Sequence, residues 1–128
     1  MDVLRRETTT PEQCHFCVWD GTGASDYSGA SERVRLPGRD YALYGGPMEL
    51  ALDPLDDFFD HISANLWWPE DHAWIVATEI DLCWTYAGGN AALIEKLLRN
   101  DHLEALRARL GDKHFYGSDT LNEALDAR

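Results

Sequence analysis

The run WIVATEIDLCW, from Trp74 to Trp84, carries Trp, Val, Thr, Ile, Leu and Trp at alternate positions. Successive side chains of a strand point to opposite faces, so Trp74, Val76, Thr78, Ile80, Leu82 and Trp84 share one face. Ile75, Ala77, Glu79, Asp81 and Cys83 share the other. A face that apolar has to be covered, so the run reads as a central strand with a second layer packed against it.

The rest of the chain supplies both more sheet and the covering layer. CHFCVW at Cys14–Trp19 is a short apolar and aromatic run ended by DGTG, a strand and a turn. RVRLPGRDYALYGGP holds two alternating segments around Pro37-Gly38, a β-hairpin ended by Gly45-Gly46-Pro47. Between these, residues 24–32 are rich in Ser, Gly and Ala and read as an exposed loop. Asp53, Pro54 and Asp56 fit the N-cap, first and third positions of a short helix near 54–62. After the break Ala87-Gly88-Gly89, Asn90 caps a helix with Leu93, Ile94, Leu97 and Leu98 at helical spacing. Asn100 or Asp101 starts a further helix with Leu103, Leu106 and Leu110 on one stripe and Gly111 as its stop. The expected fold is α+β: a mostly antiparallel sheet of three to five strands, with two to four helices packed on one face. At 128 residues this is a single domain over 1–128, with 112–128 a loosely packed tail that adds a helical turn or two after Ser118-Asp119.

Charge narrows the partners. With 11 Lys and Arg against 23 Asp and Glu, the net charge of −12 repels nucleic-acid phosphates and anionic lipid and favours a basic partner or a cation. No stretch is apolar enough to span a membrane, and MDVLRRETTTPEQ carries early charges with no apolar core of a secretory signal. A cytoplasmic location is expected, with the three cysteines reduced.

Cys14 and Cys17 form one C-x-x-C, a spacing used by zinc and redox sites. Zinc needs further ligands and the redox motif opens a helix, whereas positions three apart on a strand face opposite ways. The two cysteines are therefore read as structural thiols, and no metal or cofactor is expected. His72, Asp71 and Glu70 lack a serine or cysteine in a nucleophile-elbow pattern, so no catalytic residue is assigned. Glu79 and Asp81, two apart on one strand face, lie about 6.5–7 Å from each other, within reach of acid/base work or cation binding. Ion pairs to Arg33, Arg35 or Arg39 are the structural alternative.

LWWPEDHAW remains. Pro69 keeps Trp68 out of helical geometry, so Trp67 and Trp68 are extended and point to different sides. An exposed tryptophan beside acids has the composition of a binding anchor with a charged rim. FCVWDG at Phe16–Gly21, RDYALYGGP at Arg39–Pro47 and LWWPEDHAWIVATEIDLCWTYAGG followed by ALIEKLL resemble a family of small, acidic, uncharacterised bacterial proteins across about residues 3–110. The resemblance implies no activity, catalytic residue or ligand.

Two functional expectations result. One is a small acidic protein-binding module, of the immunity or inhibitor kind, that masks a basic partner with Trp67, Trp68, Glu70, Asp71 and His72. The other is a small-ligand- or cation-binding domain, or a small enzyme, using Glu79 and Asp81. The residues favour the first, and leave the partner's identity and the oligomeric state open.

Overall fold

A computed structural model describes residues 1–22, 30, 32–51 and 63–113. They form an α+β domain around a six-stranded sheet in which each neighbouring pair is antiparallel. The strands are β1 (Cys14–Trp19), β2 (Glu32–Leu36), β3 (Arg39–Gly46), β4 (Leu66–Pro69), β5 (Trp74–Thr78) and β6 (Thr85–Gly89), in the order β2-β3-β1-β4-β5-β6. β1 thus sits between the β2–β3 hairpin and the β4–β5–β6 meander. Two helices, α1 (Asp2–Arg5) and α2 (Ala91–Leu98), complete the described elements, with 3-10 turns at Asp20–Thr22 and Met48–Ala51.

The covered face follows from the alternation. Cys14, Phe16, Trp74 and Val76 are buried in one cluster with Leu4 of α1, Leu93 of α2, Met48 and Ala64. Both helices therefore lie on the same face. The Trp74 indole N–H donates to the Leu4 carbonyl at 3.0 Å, which ties α1 to β5 through a buried hydrogen bond. α2 begins as its sequence predicts: the Asn90 side chain accepts from the Leu93 N–H at 2.9 Å. Gly89 sits where α2 crosses β6, and a Cβ there would stand 2.6 Å from Leu93 Cδ2 and 3.5 Å from Trp74 Cβ.

Three expectations change. The sheet has six strands, not three to five, because WIVATEIDLCW is not one strand: β5 ends at Thr78, residues 79–84 turn, and Ala87-Gly88-Gly89, expected as a break, is the second half of β6. The turn is held locally by Glu79, whose carboxylate accepts from the Ile80 N–H at 2.8 Å, and by the Thr78 and Thr85 hydroxyls, 2.9 Å apart across the strand pair. Residues 100–113 contain no helix. The Asn100 side chain accepts from the His102 N–H at 3.0 Å and closes a turn, while Leu106 is 78% exposed. A leucine stripe makes a helix stable only where it has a surface to bury against, and this one meets none among the described residues. The helix near 54–62, the turn after Ser118-Asp119 and most of the 24–32 loop lie outside the described residues. No described helix is long and apolar enough to cross a membrane.

Candidate functional site

Strand register divides the predicted cluster between the two faces of the sheet. Trp67 lies opposite Phe16 and Trp68 opposite His15. Trp67 packs against the core, stacked on Phe16 with centroids 6.1 Å apart and edge-on to Trp74 at 4.9 Å. Trp68 lies half-buried on the opposite face, where Cys17 and Tyr41 are themselves buried, and is stacked on the His15 ring at 5.4 Å and 24°. His15 Nε2 is 2.6 Å from a carboxylate oxygen of Glu70, whose backbone N–H donates to the Gln13 carbonyl at 2.8 Å. Gly45 faces His15 across β3, and its missing side chain leaves an open cleft of about 430 Å³ between Glu12, Gln13, Cys14, His15, Gly45, Gly46 and Glu70.

Asp71 has a different task. One carboxylate oxygen accepts from Thr8 Oγ1 at 2.9 Å and the Ala73 N–H at 3.1 Å. The other accepts from the Thr9 N–H at 2.7 Å and Thr9 Oγ1 at 2.9 Å. It pins the segment after α1 to the β4–β5 turn. Desolvation is the largest single influence on its pKa and works upward, but the hydrogen bonds from Thr9, Thr8 and Ala73 together prevail and hold it at about 2, below the ordinary 3.8. His72 closes the same turn with φ 54°, its N–H donating to the Pro69 carbonyl at 2.9 Å, and its side chain is exposed.

These bonds set a pH test. Because the folded carboxylate binds its proton more weakly than the unfolded one, its contribution is complete above pH about 4 and disappears as the pH falls toward about 2. Asp71→Asn keeps the shape and loses acceptor capacity, an expected cost of about 1 kcal/mol for a partly solvated cap of this kind. Urea midpoints of wild type and variant, measured from pH 6 to pH 2 (a range spanning about four units around the carboxylate), should converge at the acid end. A constant gap would show that Asp71 acts without its charge.

Glu79 and Asp81 are brought together, but around a cation of the protein itself. They do not share a strand face, since both lie in the turn after β5. Arg39 at the start of β3 pairs with Glu79 and, at 2.9 Å, with Asp81. Its guanidinium carbon lies 5.4 Å from the Trp19 ring centroid, so the arginine is held between an aromatic face and two carboxylates. Of the three arginines weighed from the sequence, Arg39 closes this clamp, while Arg33 reaches Asp20.

The two cysteines of C-x-x-C lie in β1 and face opposite sides, both buried. Burial pushes each thiol up to about 11, with Glu49, Asp71 and Glu12 adding to the effect at Cys14, so neither is a thiolate nucleophile near neutral pH. Cys83 in the turn is exposed. Alkylation of the native protein by iodoacetamide at neutral pH is therefore expected to label Cys83 first, with Cys14 and Cys17 reacting at the rate of unfolding. Peptide mapping by mass spectrometry checks this. Early labelling of Cys14 would show that the cleft admits reagents to its sulfur. Among the described residues no group of three or more His, Cys, Asp or Glu side chains is placed to hold a metal ion.

No protein-family model, curated protein or solved structure matches the chain.

Sequence reasoning did not single out His15 as part of the tryptophan cluster, nor Ile75 and Tyr86, which are 45% and 39% exposed on the same face. Alternation in CHFCVW does place His15 with Cys17 and Trp19, away from Phe16. That β1 would pair with LWWP, and so set His15 beside Trp68, is a long-range register that no local pattern encodes.

Proposed function

We propose that this chain is a small acidic protein-binding module that masks a basic partner, and that it belongs with the small acidic bacterial proteins it resembles. The observation that carries the reading is the placement of Trp68: half-buried on the sheet face away from the helices, braced by His15 and with Glu70 held on that histidine, on a chain of net charge −12. A rigid aromatic with a partly wet edge and a carboxylate rim is the composition of an interface anchor. The surrounding field steers a basic protein toward it. Trp67 and Asp71, assigned to the same surface from the sequence, support it from within: one fixes the strand from the core side and the other fixes the turn. Glu70 and His72 stay at the rim. The alternative built on Glu79 and Asp81 draws no support from their geometry, because Arg39 already occupies the space between the two carboxylates.

The test is capture. The tagged chain, incubated with a lysate of its own source at low salt, should retain a basic protein in fixed stoichiometry, weighed by native mass spectrometry. Retention should fall as salt is raised, because the attraction is screened. Recovery of the bare chain from every lysate, or of an acidic partner insensitive to salt, would sink the reading.

A further inference from the structure

The two edges of the sheet are built differently. β2, at one end, carries Glu32, Arg33 and Arg35 among its five residues, the charged flanks that discourage another strand from pairing. β6, at the other end, reads Thr85-Tyr86-Ala87-Gly88-Gly89, with no charge, no proline and nearly every residue exposed. Among the described residues no strand pairs with its outer side, so backbone donors and acceptors along it face outward.

The face beside this edge exposes apolar side chains. Tyr86 and Gly88 point to that face, and Ile75 lies opposite Gly88 on β5. A Cβ on Gly88 would stand 3.2 Å from Ile75 Cγ2, so it is the glycine that leaves the isoleucine uncovered. Ile75 and Tyr86 are two of the large apolar side chains that the described surface exposes. A strand laid along β6 would set one side chain over Gly88, between the Tyr86 ring and the Ile75 side chain, while its main chain completed the ladder.

We infer that β6 is a β-augmentation edge that takes an extended segment of the basic partner, with an apolar residue seated over Gly88 and lysines or arginines at its flanks. The inference rests on the proposed binding of a basic protein and adds its mode: main-chain pairing gives affinity and apolar contact with Ile75 and Tyr86 beside Gly88 gives selectivity. Charge selects this occupant over a second copy. Twofold pairing of β6 with itself would bring together two chains of −12 each, whereas a basic segment lowers the charge it meets.

Amide hydrogen exchange by NMR on the whole chain tests it, using a capped peptide of alternating lysine and valine as probe and alternating glutamate and valine as control. The lysine peptide should slow exchange several-fold at the β6 amides that face away from β5, the control should not, and Tyr86→Lys should remove the effect while its spectrum stays dispersed. Probe binding that shifts the Trp68 indole and leaves β6 exchange unchanged would overturn the edge and keep the basic-partner reading. If the lysine peptide binds nowhere, the edge proposal fails; lysate capture at low salt then decides separately whether the basic-partner reading stands. Slow β6 exchange without any probe overturns the inference: at low protein concentration the edge is taken within the chain, and if slowing grows with concentration alongside a dimer mass, a second copy takes it.

Discussion

Trp74→Ala is expected to remove about 3–5 kcal/mol of folding stability, the range for deleting a buried aromatic side chain. Against a total of about 5–15 kcal/mol for a domain, that leaves the variant close to unfolding at room temperature. Three contacts combine in the loss. The side chain is 2% exposed at the centre of the cluster, it braces Trp67 edge-on at 4.9 Å, and its indole N–H donates to the Leu4 carbonyl. Trp74→Phe separates these contributions: it keeps most of the apolar volume and removes the indole donor, while the Leu4 carbonyl keeps its bond from the Glu7 N–H, an expected cost of about 1 kcal/mol. Urea unfolding followed by circular dichroism measures both. A Trp74→Ala variant within about 1 kcal/mol of wild type would contradict the burial of this residue.

The second large effect is on binding. Trp68→Ala is expected to weaken the captured partner by about 2 kcal/mol or more, roughly thirtyfold, as truncating an aromatic anchor does. Its own fold should lose about 1 kcal/mol, since Trp68 is half-buried and rests on His15 at the surface side of the sheet. Trp67→Ala should behave in the opposite way. It opens a cavity between Phe16 and Trp74 and costs about 3 kcal/mol of stability. Titration of the isolated partner by calorimetry, with unfolding midpoints on the same preparations, distinguishes the pair. Unchanged affinity in a folded Trp68→Ala protein would remove the anchor from the interface.

Several elements were legible locally because their causes are local. The β2–β3 hairpin follows from alternation around Pro37-Gly38, the start of α2 from the Asn90 cap, and the opposed cysteines from the parity of β1. The inward set Trp74 and Val76 also follows from period two, and both are buried. Where the reading failed, a distant group decided. Nothing in WIVATEIDLCW distinguishes a strand that runs on from one that turns at Glu79. The turn brings Glu79 and Asp81 to Arg39, forty-odd residues earlier in the chain. The leucines at 103, 106 and 110 satisfied a helical period but meet no apolar surface among the described residues, and period alone does not supply one.

The candidate site divides along the same line. Amino-acid sequence by itself determined the chemistry on offer: a net charge of −12, tryptophans on opposite sides of an extended segment, and acids beside them. Tertiary structure decided their use, by pairing β1 with both β3 and β4. That register set His15 under Trp68 and Gly45 beside it, turned Trp67 into core, and gave Asp71 to Thr8 and Thr9. The physical reason is the two-residue period of the strand. Each residue has a fixed side once the register is set, but the register depends on burying Phe16, Trp67 and Trp74 together, a condition met only when segments remote in sequence meet.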